Sequence, residues 1–284
     1  MDAVIDIGSN SVRLMLDRGE AVAKKETATT MLAEGLNVNG TLSDAAMERT
    51  LSAVAGFFKE AAVAGAAKTY VFATEAVRSA ANGAAFRARL EAAIGTRVAV
   101  LSAKEEARLG MLGVLGAPDK TGAVLDIGGA SVELITGSPD KPDYSKSLPL
   151  GAVRVLDSAG TAYKGVARYV AREVKRFGRV SAKALTAIGG TATALASMAL
   201  GQGTYEPAAV HGYLLEQDVL SALLKDIFSG GDLIARYPTL PVQRARVIGQ
   251  GAVVLHCVMR HLGLKAVTVS EHDNMEGFLL ALPL

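Results

Sequence analysis

The chain has 284 residues, half of them hydrophobic, which suffices for one large core or two of ordinary size. A net charge of +2 with no like-charge tail, one cysteine (Cys257) and 5% aromatic residues argue against a nucleic-acid arm, a disulfide framework, a cysteine metal cluster and a stacking platform for single strands. No apolar run is long enough for a membrane span, and Met1-Asp2-Ala3-Val4-Ile5-Asp6 places an acid in its apolar stretch, unlike a secretory signal, so a cytoplasmic protein with no membrane partner is expected.

Residues 2–6 and 11–16 read as two strands joined by Gly8-Ser9-Asn10, a β-hairpin, and 20–29 suits a third strand. Ser43 caps a helix with apolar residues at Met47, Leu51, Val54 and Phe58. A strand at 68–73, a helix at 83–94, a strand at 97–102 and a helix at 103–116 follow. That alternation predicts a partly parallel sheet faced by helices. After the turn at 117–122 the pattern restarts, with strands at 121–127 and 131–136. Helices are expected near 161–177, 190–200, 215–228, 241–261 and 276–283, and strands near 183–188 and 266–270.

The restart is a repeat. Asp6-Ile7-Gly8-Ser9-Asn10-Ser11-Val12-Arg13-Leu14-Met15 returns 120 residues later as Asp126-Ile127-Gly128-Gly129-Ala130-Ser131-Val132-Glu133-Leu134-Ile135, identical at six of ten positions. Each copy ends a strand and opens a hairpin. Glycine and small residues there let backbone N–H groups close on an anion, and Ser and Asn add hydrogen bonds to phosphate oxygens. A carboxylate repels phosphate, so the two aspartates imply a bridging Mg²⁺. A third glycine turn, Gly189-Gly190-Thr191, opens a helix after a strand, where anions bind readily.

These turns, with Thr74-Glu75-Ala76-Val77-Arg78-Ser79-Ala80-Ala81-Asn82, Ser102-Ala103-Lys104-Glu105-Glu106-Ala107, Leu150-Gly151-Ala152-Val153-Arg154 and Glu276-Gly277, resemble the exopolyphosphatase and guanosine-pentaphosphate phosphohydrolase (Ppx/GppA) family over essentially the whole chain. Sugar kinases share the fold but not this set. The resemblance implies a duplicated α/β fold of the actin-like, sugar-kinase-like (ribonuclease H-like) type, with a cleft between domains at 1–120 and 121–270. The C-terminal helix, 271–284, is expected to pack back on the first domain. It also implies a Mg²⁺-dependent phosphoanhydride hydrolase acting on inorganic polyphosphate or guanosine pentaphosphate, and by analogy a homodimer.

Carried over residue by residue, Glu106 activates the water, with Asp126 and Arg78 beside it as catalytic groups. Gly8, Ser9, Asn10, Ser11, Gly128, Gly129, Ser131 and Arg154 hold phosphate. Asp126, Asp6 and Glu133 are the metal candidates. Glu105 is expected to be solvated. Ala130 stands where the family usually has Gly, and its Cβ would crowd the loop if that residue needed positive φ. Arg168, Arg172 and Arg176 recur every four residues on a helix rich in Lys and Arg, and form a stripe suited to a polyphosphate path. The stripe favours polyphosphate over a compact nucleotide. A nucleotide phosphohydrolase and a non-catalytic polyphosphate or guanosine-tetraphosphate sensor are the alternatives.

Overall fold

The computed structural model describes residues 1–19 and 22–282. The backbone divides into two compact units, Met1–Glu106 and Ala107–Leu284. In the first, β1 (Asp2–Ile7) is central and almost wholly buried, as a strand covered on both faces must be. It pairs antiparallel with β2 (Ser11–Asp17), which pairs with β3 (Val22–Thr29). On its other side β4 (Lys68–Ala73) and then β5 (Val98–Val100) run parallel, giving the order β3-β2-β1-β4-β5. Residues 20 and 21 of the expected third strand lie outside the described residues.

Helix α1 (Asp44–Val63) starts where the sequence places it, with the Ser43 hydroxyl accepting from Ala46 N at 3.3 Å. Met47, Val54 and Phe57 enter the core, while Leu51 and Phe58 are only half-buried. Helices α2 (Glu75–Ser79) and α3 (Gly83–Ile94) follow β4. Helix α4 (Ala103–Leu115) spans the division of the chain.

The second unit repeats the first. Strands β6 (Gly122–Ile127), β7 (Val132–Gly137) and β8 (Pro142–Leu148) are antiparallel, and β9 (Thr186–Ile188) runs parallel to β6. Strand β11 (Ala266–Val269) runs parallel to β9, and β10 (Leu214–Glu216) closes the edge antiparallel. The order is β10-β11-β9-β6-β7-β8. Without β10, it matches the first sheet strand for strand. The chain is thus a mixed α/β fold in duplicate, as the repeat predicts.

Helices α5 (Ala152–Ala159) and α6 (Tyr163–Val174), α7 (Gly189–Ala199), α8 (Gln217–Ile227), α9 (Ile248–Leu262) and α10 (Asn274–Leu280) cover the second sheet. A tight turn at Lys175–Phe177 ends α6. Val166, Val170 and Val174 of α6 join Val254, Leu255 and Val258 of α9 in the core. Strands β8 and β10 and helices α2 and α5 are not among the elements expected from the sequence. The helix expected over 241–261 begins only at Ile248, after a single turn at Val242–Ala245. Of the expected closing helix, residue 283 lies outside the described residues. Among the described residues, no helix is long and apolar enough to cross a membrane.

Helix α10 is held by a capping box, with Met275 N on Asp273 Oδ1 at 3.0 Å and Asp273 N on Glu276 Oε2 at 2.9 Å. It meets α4 backbone to backbone. A Cβ added at Gly113 would stand 1.9 Å from the Asp273 carbonyl oxygen, and one at Gly277 1.8 Å from that of Leu109. Gly277→Ala must force the helices apart, and is expected to destabilise by about 3 kcal/mol. A urea unfolding curve whose midpoint matches the wild type would show that this contact is not tight.

Candidate active site

The two repeated hairpins close in the same way. Gly8 N donates to the Ser11 carbonyl at 2.9 Å, and Gly128 N to the Ser131 carbonyl at 3.1 Å. In both, outside amides take the loop's carbonyls. Thr30 N and Met31 N donate to Asn10 O, and Ala33 N to Ser9 O, at 3.0, 2.8 and 2.8 Å. Met31 adopts φ +49, the only positive φ outside glycine among the described residues. In the second loop the donors are the start of α5: Ala152 N to Gly128 O at 2.9 Å, Val153 N to Gly129 O at 2.8 Å, and Gly151 N to Ala130 O at 3.1 Å. With the carbonyls drawn away, the amides of Ser9 and Asn10, and of Gly129 and Ala130, have no backbone acceptor among the described residues. Loops of this polarity are anion nests. Ser9, Ser11 and Ser131 are buried within them.

Ala130 keeps a negative φ, so its Cβ brings no backbone strain. The close approach falls instead on Gly151, where a Cβ would stand 2.4 Å from Ala130 N. Arg154 Nε donates to Ala130 O at 3.0 Å, so the expected phosphate ligand braces the loop.

In the first unit, Arg78 and Glu106 meet. Glu106 is 7% exposed and accepts from Arg78 Nη1 at 2.9 Å. The same guanidinium donates to Glu75 and to the Leu101 carbonyl. Burial opposes the Arg78 charge, but Glu106 and then Glu75 outweigh it and hold the guanidinium above its usual pKa. Glu105 is exposed but has a partner. It accepts from Ser102 N at 2.8 Å while Ser102 Oγ accepts from Glu105 N at 3.2 Å, a capping box that holds its carboxyl below the usual range. Ser-x-x-Glu at 102–105 is that box's sequence signature.

The aspartates of the repeat part company at one cross-strand position. Asp6 faces Arg13 in register and is ion-paired to it, with Arg13 Nε at 3.1 Å. Asp126 faces Glu133, a second carboxylate. Glu133 is buried and accepts from Ser147 Oγ at 2.5 Å. Asp126 also lies against the third glycine turn, where a Cβ at Gly189 would stand 2.7 Å from Asp126 Oδ1. Gly189 has φ +84, which its neighbours demand and alanine resists.

The matching of this chain to known proteins agrees with the geometry. The model of the Ppx/GppA phosphatase family matches residues 17–283. The chain belongs to that family. Its relatives include Exopolyphosphatase 2 of Mycobacterium tuberculosis, 29% identical over 312 residues, covering 99% of this chain and 98% of the relative. Among solved structures, an exopolyphosphatase-like protein superposes with a TM-score of 0.88 at 25% identity, covering 98% of this chain and 97% of the other. The Ppx/GppA member of Aquifex aeolicus gives 0.79 at 25% identity over 98% and 96%. The family is one of phosphoanhydride hydrolases.

For a Ppx/GppA chain the metal question is local. Among the described residues, no group of three or more His, Cys, Asp or Glu side chains converges on one point. A protein-only cage is therefore not built. Magnesium commonly takes one or two carboxylates and completes its shell with phosphate oxygens and water, and the facing Asp126 and Glu133 suit that pattern. Asp6, neutralised by Arg13, does not.

Several features carry no clear signal in the sequence. Arg244 lies flat on the third turn, donating Nη1 to Gly190 O at 2.6 Å. Tyr205 donates to Glu271, and the rings of His211 and His272 stack at 4.6 Å. Cys257 is half-buried, with burial pushing its thiol up to about 11.

Removing Arg78 takes from the buried Glu106 its ion pair at 2.9 Å. Arg78→Leu is expected to destabilise by about 3 kcal/mol, and Arg78→Leu with Glu106→Leu by less than the sum of the two single changes, because the pair is lost only once. Additive losses in a double-mutant cycle of denaturation would show that the two do not interact.

Proposed function

We propose that this chain removes the terminal phosphate from inorganic polyphosphate, with Glu106 setting the attacking water. The observation that carries the reading is the buried Glu106 carboxylate, fixed by Arg78, in a Ppx/GppA chain with two anion nests. Phosphoryl transfer asks little covalent chemistry of the protein and much positioning. The water oxygen bonds to the terminal phosphorus as the bridging P–O bond breaks. The bridging oxygen leaves on the shortened chain, and Glu106 takes a proton from the water. Arg78 holds the carboxylate at one orientation, and so acts on the reaction through Glu106.

The amides of Ser9, Asn10, Gly129 and Ala130 and the hydroxyls of Ser11 and Ser131 would hold phosphate oxygens. Arg154 would act as a brace of the second loop. Asp126, with Glu133 opposite it, would hold Mg²⁺. When bound, the ion would offset phosphate charge that the carboxylates alone repel.

Phosphate release from long polyphosphate, tripolyphosphate and guanosine pentaphosphate, with Mg²⁺, tests this. Glu106→Gln keeps the shape and is expected to lower kcat by about 10²–10⁴ with a smaller change in KM, the usual range for losing a positioned base. Turnover of guanosine pentaphosphate far above that of polyphosphate would shift the substrate to the nucleotide. No release from any of the three would leave the binding sensor as the better reading.

The metal assignment is tested separately. Mg²⁺ is expected to raise the Tm of the wild type and not of Asp126→Asn. An equal rise in both would move the ion elsewhere.

A further inference from the structure

Residues 160–185 hold seven basic residues against one acid, Glu173. The whole chain has a net charge of +2, so this segment carries a net six positive charges and the remainder a net four negative. The segment is α6, its closing turn and the lead into β9. Val166, Val170 and Val174 point into the core, which turns the basic positions outward. Lys164, Arg168, Arg172, Lys175, Arg176 and Arg179 are all exposed.

Four-residue spacing carries Arg172 about 6 Å beyond Arg168 along the axis of α6, and Arg176 follows in the closing turn. Glu173 bonds two of these, Arg172 at 3.0 Å and Arg176 at 2.9 Å. Arg172 also lies 5.5 Å from the centre of the Tyr169 ring. Arg168, Lys175 and Arg179 have no acidic partner among the described residues. Lys146 of β8 donates to the Arg176 carbonyl, which brings another cation to the same face. Like charges one turn apart repel. One acid among so many cations leaves a strong positive field, and such a field draws a polyanion.

We propose that this face is a second binding surface for long polyphosphate, separate from the phosphate loops, which anchors the chain while its end is trimmed. The choice of ligand rests on the exopolyphosphatase reading above. Nucleic acid fits less well, because binding single strands relies on open aromatic faces. Here Tyr169 lies under Arg172, and Tyr163 stands edge-on to Phe228 at 5.1 Å.

The surface and the second loop share a rigid support. Helix α5 leaves the loop at Gly151 and its eight residues cover about 12 Å before α6 begins. A tripolyphosphate held at the loop has few phosphates to offer the surface, and a long chain has many. Anchoring a long chain raises the local concentration of its end, so KM should fall with chain length while kcat stays fixed.

The test uses the variant Arg168→Gln/Arg172→Gln/Arg176→Gln. Its KM for long polyphosphate is expected to rise about tenfold or more, the scale of a lost second attachment. Its kcat and its kinetics on tripolyphosphate should match the wild type. The variant with Lys at all three positions should restore most of the affinity. An unchanged KM for long polyphosphate would overturn the proposal. Fluorescence anisotropy with end-labelled long polyphosphate, on Glu106→Gln protein with and without the three Gln changes, reads the surface without turnover. Lost binding there supports the surface even if no polyphosphate is hydrolysed, an outcome that would remove the hydrolase reading alone. Single-stranded RNA of equal charge competing as well as polyphosphate would overturn the choice of ligand.

Discussion

Each repeated loop depends on one backbone hydrogen bond, Gly8 N to Ser11 O in the first unit and Gly128 N to Ser131 O in the second. It folds the four residues so tightly that their remaining carbonyls must find donors elsewhere. Each unit supplies those donors differently. The first wraps the segment 30–33 over Asn10 and Ser9, with Met31 held at φ +49. A left-handed Met costs on the order of 1–3 kcal/mol and persists only where its surroundings over-determine it. The second unit uses the first turn of α5, whose amides have no partner inside the helix. The outcome is the same in both: carbonyls tethered behind the loop and amides left for an anion.

The repeat preserves this shape but not its charge. The position seven residues after the aspartate is Arg13 in one copy and Glu133 in the other. Hairpin register places each directly across from its aspartate. Opposite charges across a strand pair stabilise it, and like charges do the reverse. The first hairpin is thus electrostatically complete with its own residues. The second sets two acidic residues across from each other at the end of β6, next to the Gly189 turn. Duplication supplied two equal loops, and this one pair makes them unequal.

That pair is legible in the amino-acid sequence, since a two-stranded hairpin with a known turn fixes its register. So is β8. Strand β3 begins at Val22, and the repeat offset of 120 carries it to 142, where β8 begins. Its exposed residues, Asp143, Ser145, Lys146 and Ser147, lack the apolar alternation that marks a strand, and hide it. Local capping signals locate α1 and would locate the Ser102–Glu105 box. The Arg78–Glu106 pair is legible as two separate candidates and not as a contact, because it joins residues 28 apart through tertiary packing. The brace from α5 to the loop is hidden for a related reason. Backbone amides and carbonyls carry no residue-specific signal, so only Gly151, with no room for a side chain, hints at it.

Helix α4 shows how adjacent residues of one type come to different roles. Glu105 and Glu106 are separated by about 100° around the axis. The first folds back onto the Ser102 amide at the exposed helix start, and the second is buried against the half-buried Arg78 guanidinium. Neither role survives a change of helix phase by one residue. Further along the same helix, in the second unit, Gly113 lies against the Asp273 carbonyl and Gly277 against that of Leu109. A contact that close tolerates no rotation of α4 about its axis. The glycines therefore fix the part of α4 that belongs to the second unit, from Ala107 to Leu115, through backbone contact alone.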